Sequence, residues 1–373
     1  MSPCTVVVLP AWYPTARQPL AGPFIRDHAR AAAAVGHRVI VIVNEGERAG
    51  LRGLYELSEE ERDDGLRIVR LTYRRGMGTF CYVPAVLAVA RRLRREGSPV
   101  DVLHAHIHWM AWPAMILGGI LRRPFVVTEN SSEWPRRTMR RGALVRARIA
   151  FRRAALITPV SAALQRAIED YGVRARFRIV PNTVDTQLFH PAGEPRNGVP
   201  TRLINVALHV EVKALDVLLR AFAQVAARRS ELTLTMIGDG PLTPDLKRLA
   251  AELNIDSRVH FAGRAEPSEI AKALRQADVF VLSSLSDNMP LAILEALSSG
   301  VPVVATAVGG VPEAVGGDGV LAPPSNPKEL AHAIESVLQS EHQFDRADIA
   351  RRARERWSLE AVGRVWDEIY RSL

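Results

Sequence analysis

The sequence of 373 residues predicts an α/β fold of two domains, each a doubly wound parallel sheet with helices on both faces. Short β-branched runs alternate with helical patterns along the whole chain, as expected for parallel sheets. At roughly 150 residues per domain, the length allows two or three domains. The alternation is interrupted at residues 190–200, where three prolines and two glycines indicate a linker.

The first half contains six apolar, β-branched runs that predict strands at 5–9, 38–43, 67–71, 101–104, 124–128 and 155–158. Helical periodicity predicts helices at 24–35, 83–96, 109–121, 138–153 and 161–171. The first run follows no basic segment, so we expect a buried strand there and not a signal peptide. Residues 102–121 are uncharged and long enough for a membrane helix, but three histidines and Pro113 favour a strand followed by a buried helix.

The second half repeats the rhythm, with strands expected at 202–207, 232–237, 258–261, 278–282 and 302–305. The expected helices are 214–229, 242–253, 267–275, 290–299 and 326–339. From Arg346 onward the chain is helical again, and Trp366 and Tyr370 can pack this tail on the first domain. The predicted domains are therefore 1–190, with 358–373 returning to it, and 191–357.

Charge is distributed unevenly between the two predicted domains. Residues 1–190 hold 29 Lys and Arg against 16 Asp and Glu, a net charge of +13, whereas residues 191–373 carry −4. The first domain therefore suits an anionic partner, such as a phosphorylated substrate or a membrane surface. Nucleic acid fits less well, because aromatic residues are only 6% and do not alternate with the basic ones.

Residues 136–153 contain eight arginines interleaved with apolar residues, a pattern typical of a basic amphipathic helix. Such a helix can lie on anionic lipid, or it can be a solvated face over a core stripe. The sequence leaves both possibilities open.

Cysteine and histidine positions do not favour a metal site. Cys4 and Cys81 are far apart, which indicates neither a disulfide framework nor a thiolate site and favours a reducing cytosol. His104, His106 and His108 alternate at a strand end, so we expect them to share a face. Because no other cluster obviously completes a ligand set, we expect no metal; His106 is then a cleft or acceptor-side residue, and His104 is buried.

Ligands of open parallel sheets bind beyond the carboxyl ends of the strands. The loop after the first strand lacks the G-x-G-x-x-G of dinucleotide enzymes, which argues against redox chemistry. Gly22 lies just before the first helix, where a glycine lets a ligand approach the backbone. The glycine can equally serve the turn alone.

The segment 283–306 carries the strongest pattern of the second half. Pro290 is expected at the first helical position, which leaves the amides of Leu291 and Ala292 free for an anion. Asp287 precedes this helix and Glu295 lies inside it, so two carboxylates can bind hydroxyls of a ligand whose phosphates lie at the helix N-terminus. A nucleotide sugar has this combination of phosphates and hydroxyls, although each acid alone could be a cap or a solvated surface group.

The segment resembles the E-x7-E signature of family 4 retaining glycosyltransferases, which have the GT-B fold. Asp287 falls at the first glutamate, Asn288-Met289-Pro290 at the usual Gly-Phe-Pro, and Glu295 at the second glutamate. Further similar strings are WYP with GPFI (22–25), VDVLHAH (100–106), VPNTVD (180–185), IGDGP (237–241), FAGR (261–264) and ADVFVLSS (277–284). Their order and spacing cover nearly the whole chain.

The resemblance implies two Rossmann-like domains facing a central cleft, and it implies roles for individual residues. Lys213 would neutralise the donor diphosphate, Glu295 would hold the ribose, and the backbone around Arg264 and Ala265 would meet the base. Asp287 and the amides of Asn288, Met289 and Leu291 would contact the sugar and its phosphate, and Gly22 would approach the same phosphate. Asn130 and His106 would lie at the reaction centre or on the acceptor side.

Three positions depart from the family pattern. Leu208 stands where a diphosphate-binding Gly-Arg often occurs, and Asp287 is one methylene shorter than the usual glutamate. Asn130 replaces a common histidine; its amide can donate a hydrogen bond but cannot take up a proton as imidazole can.

The expected function is transfer of a sugar, with retention, from a UDP- or GDP-linked donor to an acceptor hydroxyl. The acceptor is a lipid-linked or cell-surface glycan precursor or a small natural product, and no metal or other cofactor is expected. Alternatives are a non-catalytic nucleotide-sugar or glycan binder, and a GT-B epimerase or phosphorylase. We expect a cytoplasmic protein, peripheral at the inner face of the membrane if residues 136–153 bind lipid; the sequence does not indicate the oligomeric state.

Overall fold

The computed structural model describes residues 3–15, 21–47, 51, 53–61, 65–192, 201–339 and 344–373. The chain forms two compact units, a first domain of residues 1–183 and 359–373 and a second domain of residues 184–358. Most of the linker predicted at 190–200 lies outside the described residues. The segment following Thr183 belongs to the second domain because the Val184 amide donates to the Trp357 carbonyl and Arg275 donates to the Leu188 carbonyl.

The first domain is a parallel α/β sheet with one antiparallel edge. Its strands are β1 (Thr5–Leu9), β2 (Arg38–Glu47), β3 (Tyr55–Glu61), β4 (Leu66–Tyr73), β5 (Val102–His106), β6 (Phe125–Glu129) and β7 (Leu156–Pro159). Its helices are α1 (Pro23–Ala34), α2 (Gly78–Arg95), α3 (His108–Leu121), α4 (Arg141–Arg153), α5 (Ala162–Asp170) and α13 (Leu359–Arg371). Within the described residues the sheet order is β3-β4-β2-β1-β5-β6-β7, and only β3 runs antiparallel to its neighbour.

The second domain is an all-parallel sheet with helices on both faces. Its strands are β8 (Arg202–Val206), β9 (Thr233–Ile237), β10 (Val259–Gly263), β11 (Val279–Leu282), β12 (Val303–Thr306) and β13 (Gly319–Ala322). Its helices are α6 (Leu215–Ala226), α7 (Thr243–Glu252), α8 (Pro267–Gln276), α9 (Leu291–Ser298), α10 (Val311–Val315), α11 (Pro327–Gln339) and α12 (Arg346–Trp357). Among the described strands the order is β10-β9-β8-β11-β12-β13.

Burial explains why these runs form strands. Every residue of β1, β5, β6, β11 and β12 is buried, because helices cover both faces of a parallel sheet and select continuous apolar runs. Residues 102–121 form β5 and α3, as favoured above, and none of the described helices has the length and apolar composition needed to cross a membrane. The predicted α/β class with two parallel-sheet domains is confirmed.

Three short elements had no clear sequence pattern: β3, α10 and β13. Strand β3 has the polar sequence YELSEEE, and its glutamates form ion pairs with arginines of β4, with Arg70 and Glu60 3.1 Å apart. Charged edge strands of this kind resist pairing with other chains. Helix α10 has five residues and β13 has four, which is too short for a readable period.

The last helix, α13, packs on α1 and covers a group of buried histidines. A Cβ atom at Gly363 would lie 2.3 Å from the Ala31 carbonyl oxygen, so glycine allows the two helices to approach closely. Trp366 Nε1 donates to His28 Nδ1 at 3.2 Å, and the Tyr370 hydroxyl is hydrogen-bonded to His104 Nδ1 at 2.7 Å. The helix therefore completes the first domain's core.

Candidate functional site

Lys213 and Asp287 form an ion pair in the second domain. Lys213 ends a short 3-10 turn that follows β8, and Asp287 lies in the loop after β11. Lys213 Nζ donates to Asp287 Oδ2 at 2.7 Å, and the two side chains are only 19% and 17% exposed. The sequence assigned these residues to one site, and the structure brings them into direct contact.

Three neighbouring strands bring the pair together at the carboxyl edge of the sheet. The turn after β8 is bonded to the loop after β11, because Ser283 Oγ donates to the Lys213 carbonyl. The turn after β12 holds Asp287 from the other side, because the Gly310 amide donates to its carbonyl at 3.1 Å. A Cβ atom at Gly309 would lie 1.9 Å from that carbonyl oxygen, so this turn requires glycine. The sequence analysis did not identify Gly309 and Gly310; the signal was their place after a buried strand.

Helix α9 begins beside this pair. The structure places Pro290 at the N-cap position, and Leu291 is the first helical residue, one later than predicted. The amides of Leu291 and Ala292 meet no acceptor within the described part of the chain. Because free N-terminal amides and the helix dipole favour anions, this edge of the sheet can receive a phosphate.

The remaining predicted donor residues follow strands β10 and β11 of the same sheet. Asn288 and Met289 are buried in the loop before α9, and Glu295 is half-buried in its second turn. Arg264 and Ala265 follow β10 at the far side of the sheet and line a cavity of about 590 Å³. Arg264 is 68% exposed, and its Nε lies 3.9 Å from Asp239.

Leu208 lies in the turn after β8, where the family often has Gly-Arg. This turn packs tightly on the glycine turn after β9, because a Cβ atom at Gly238 would lie 1.8 Å from the Ala207 carbonyl oxygen. Leu208 itself is half exposed and supplies no charge. Lys213 is therefore the cation that this part of the second domain offers at the carboxyl ends of β8 and β11.

The backbone conformation and the close packing at position 22 of the first domain both require glycine. It caps α1 in the left-handed conformation (φ 63°), and a Cβ atom there would lie 2.6 Å from the Trp12 carbonyl oxygen. The turn interpretation therefore accounts for the glycine without a ligand, and its contact with a donor phosphate stays a prediction. Residues 16–20 of the same loop lie outside the described residues.

Asn130 and His106 lie at the carboxyl ends of neighbouring strands of the first domain. Asn130 is half-buried, and its Nδ2 donates to Asn182 Oδ1 at 3.3 Å. His106 is fully buried, which differs from the expectation that it faces a cleft. Its ring stacks on His104 with 4.3 Å between centroids, because both side chains point to the β5 face that α13 covers.

His108 does not share that face, contrary to the prediction from alternation. Ile107 has φ 72° and ψ 144°, a strained conformation for a β-branched residue, and it ends the strand so that His108 starts α3. His108 turns instead to Glu129, the last residue of β6, with its backbone amide 2.9 Å and its Nδ1 3.2 Å from Oε2. The sequence analysis missed this pair.

Glu129 is a buried, hydrogen-bonded carboxylate. Its Oε1 also accepts from the amides of Asn130 at 2.9 Å and Ser131 at 2.7 Å. Burial raises the pKa of Glu129, but hydrogen bonds and the charge of His108 outweigh it, so the pKa is lower than its ordinary value. The carboxylate fixes His108 and the start of α3.

A cavity of about 750 Å³ opens at the carboxyl edge of the first sheet. Pro10 follows β1, Asn44 lies near the end of β2 and His108 follows β5, and much of the remaining wall comes from α2, α3 and α4. Five aromatic side chains contribute, namely Tyr73, Phe80, Tyr82, Trp109 and Trp112. A wall of aromatic rings with a few polar groups is typical of a small-molecule site.

The described residues contain no cluster of three His, Cys, Asp or Glu side chains arranged for a metal, and Cys4 and Cys81 are free thiols. His104, which the sequence raised as a candidate ligand, binds Thr128 and Tyr370 through its two ring nitrogens.

Two family models match the chain. A model described as Glycosyltransferase Family 4 matches residues 21–188, and one described as Glycosyl transferases group 1 matches residues 200–340.

Curated relatives and solved structures are similar to the chain. The MMP alpha-(1->4)-mannosyltransferase of Mycolicibacterium hassiacum is 32% identical over 58% of this chain and 53% of its own. The D-inositol 3-phosphate glycosyltransferase of Corynebacterium urealyticum is 27% identical over 75% and 73%. Anabaena HepE, solved in complex with UDP, is 19% identical and superposes with a TM-score of 0.78 over 99% of this chain and 100% of its own. The chain spans about half the length of several curated relatives, the mannosyltransferase among them.

Proposed function

The chain belongs to glycosyltransferase family 4, and on this basis we propose that it transfers a sugar, with retention, from a nucleoside diphosphate to an acceptor hydroxyl. The observation that carries the proposal is the Lys213–Asp287 pair beside the first amides of α9, which meet no acceptor among the described residues. A cation, a helix N-terminus and a carboxylate at one sheet edge suit the diphosphate and the hydroxyls of a nucleotide sugar. HepE was solved in complex with UDP, which supports a UDP-linked sugar as the donor; a GDP-linked sugar is the alternative.

Leaving-group stabilisation is the physical core of the proposed mechanism. The diphosphate departs with additional negative charge, and Lys213 with the amides of Leu291 and Ala292 supplies positive potential where that charge develops. Donor binding breaks the ion pair between Lys213 and Asp287. The ammonium of Lys213 then binds the phosphate, and the Asp287 carboxylate can accept a hydrogen bond from a hydroxyl of the sugar. Because these groups neutralise the diphosphate, we propose that transfer needs no metal.

The substitution Lys213→Ala tests this role. Removing one such contact costs about 3 kcal/mol of barrier, so we expect kcat to fall at least a hundredfold, measured as release of nucleoside diphosphate. Lys328→Ala removes an exposed lysine from the same domain and should leave kcat unchanged. Wild-type turnover by Lys213→Ala would refute the role, and loss of wild-type activity in EDTA would refute metal independence.

Product analysis separates transfer from the alternatives. A glycoside as product supports transfer, whereas an epimer or a sugar phosphate would indicate an epimerase or a phosphorylase. A protein that protects the nucleotide sugar without consuming it would be a binder. Nothing in the described site favours these alternatives.

The proposed acceptor binds to the first domain, which carries the positive charge and the aromatic cavity. The name of the Corynebacterium relative gives an inositol phosphate as its substrate. A phosphorylated acceptor fits the charge of this domain, and Arg146 is the cationic side chain in the cavity wall. A lipid-linked or cell-surface glycan precursor and a small natural product are both acceptors of this class when they carry phosphate.

A further inference from the structure

The first domain exposes a stripe of apolar side chains next to its cavity. On α3, Trp109, Ile116 and Ile120 are exposed and recur at helical spacing. On α4, Val145 and Ile149 are exposed, one turn apart. We call these five side chains the docking face. Exposed apolar residues scattered singly need no explanation, but a contiguous group indicates an interaction site.

The two helices bring these side chains to one surface. Both α3 and α4 connect consecutive parallel strands, β5 to β6 and β6 to β7, so they run in the same direction on one side of the sheet. The cavity touches Ile116 of α3 and Arg146 of α4. Ile120 lies one turn beyond Ile116, and Ile149 lies one turn beyond Arg146, so the docking face continues directly from the cavity mouth.

Unpaired arginines surround the docking face. Helix α4 has five arginines and no acid, and Arg140 precedes it. Within the described chain no carboxylate lies within 4.0 Å of the arginines at 140, 141, 146, 152 and 153. All five are exposed. By contrast, exposed arginines of α12 such as Arg351 pair with acids of their own helix. The surface of α4 is therefore strongly cationic.

We propose that the docking face lies on an anionic lipid bilayer and that the cavity receives an acceptor that a lipid anchors in that bilayer through a phosphate. The apolar side chains of the docking face can enter the hydrocarbon region of such a bilayer, and the arginines around them can bind its anionic headgroups. The acceptor's phosphate binds Arg146, and the aromatic wall contacts the part of the chain that leaves the membrane. The acceptor assignment rests on the proposed function, whereas the docking does not.

Vesicle binding tests the docking directly, without donor or acceptor. The full chain should sediment with vesicles of phosphatidylglycerol and phosphatidylcholine in equal amounts and not with phosphatidylcholine alone. Each arginine near such a surface contributes about fivefold in affinity, so Arg152→Ala with Arg153→Ala should weaken binding about 25-fold. The matched control, Arg220→Ala with Arg354→Ala in the second domain, should change it less than twofold.

The apolar part of the face has its own variant and its own readout. Val145→Ser with Ile149→Ser should weaken vesicle binding more than tenfold, while Tm stays within a few degrees because both side chains are exposed. Lipids brominated in the upper acyl chain should quench tryptophan emission of the wild type. Trp109→Phe should remove most of that quenching, because Trp109 is the half-exposed tryptophan of the docking face.

Several results would overturn the proposal. Equal binding to neutral and anionic vesicles, or undiminished binding by both double variants, would exclude the docking. A dimer in solution that Ile149→Ser disperses would assign the face to a second copy of the chain. Transfer to a soluble, lipid-free acceptor as fast as to vesicle-anchored material would overturn the acceptor class. Without vesicles, the wild type and both docking variants should hydrolyse the donor at the same rate. If none of the three proteins hydrolyses the donor, the proposed function fails, and vesicle binding alone then decides the docking.

Discussion

Lowering the pH from 7 to 5 is expected to destabilise the first domain steeply, because three histidines are buried in their neutral form. Burial lowers the pKa of His28 to about 4, although a hydrogen bond with Asn182 acts in the opposite direction and raises it. Burial and the neighbouring histidines hold the pKa of His104 and of His106 well below the ordinary value of 6.5. A proton on any of these rings is therefore bound more tightly by the unfolded chain than by the folded one.

The sign and the size follow from this difference. Where the unfolded state binds more protons, the free energy of unfolding falls as the pH falls, here from about 6.5 downward. Each histidine that stays neutral in the fold lowers the free energy of unfolding by about 2 kcal/mol between pH 6.5 and pH 5. The three histidines together therefore lower it by about 6 kcal/mol. That is a large part of the 5–15 kcal/mol typical of a domain. The lowered pKa of Glu129 acts in the same direction, but below its ordinary value of 4.5.

Urea unfolding at pH 7.5, 6.5, 5.5 and 5.0, followed by tryptophan fluorescence, measures this loss. Five of the six tryptophans belong to the first domain, so the signal reports mainly on it. His106→Leu removes one of the three titrations, and both ring nitrogens of His106 lack a hydrogen-bond partner in the described structure, so its slope against pH should fall by about a third. The control His332→Gln alters an exposed histidine. A stability independent of pH in this range, or equal slopes for His106→Leu and the wild type, would refute the reasoning.

Three further substitutions test the site. Gly309→Ala should lower donor affinity at least tenfold in calorimetric titration with a UDP-linked sugar, because a Cβ atom would lie 1.9 Å from the Asp287 carbonyl oxygen and must displace Asp287; unchanged affinity would contradict this role. Glu129→Gln should cost about 2 kcal/mol or more in unfolding free energy, because the Gln oxygen can accept from the Asn130 and Ser131 amides but its NH2 group, a donor, then faces the backbone amide of His108; a shift below 0.5 kcal/mol would argue against it. Glu295→Gln should raise the KM for the donor with little change in kcat, and an unaltered KM would remove Glu295 from the ribose.

Most of the fold could be predicted from the sequence, because buried parallel strands carry a strong local signal. The first strand was predicted at 5–9 and forms Thr5–Leu9, and the helix predicted at 267–275 forms Pro267–Gln276. The polar edge strand Tyr55–Glu61 lacked that signal, since its partners are arginines of the next strand and not a core. The tail predicted as helical is two helices, separated at Ser358.

The sequence indicated that two residues of the candidate site belong together, but it did not indicate the contacts around the other predicted residues. The order of motifs assigned Lys213 and Asp287 to one site, although 74 residues separate them. Nothing local indicated that His106 would be buried, because Trp366 and Tyr370, which cover its face of β5, come about 260 residues later. The turn at Ile107, which separates His108 from the other histidines, was equally hidden, because an isoleucine with positive φ contradicts its own propensity.

The first domain is built from two stretches of chain, and the second domain lies between them in sequence. On the ribosome, residues 184–358 therefore emerge completely before α13 is available. Until α13 is synthesised, the first domain leaves the rings of His28 and His104 without the helix that covers them. Exposed core surface of this kind favours chaperone binding or aggregation. Translation that stops shortly after Ser358 would release a chain with a complete second domain and an incomplete first domain, so quality control of this chain depends on residues 359–373.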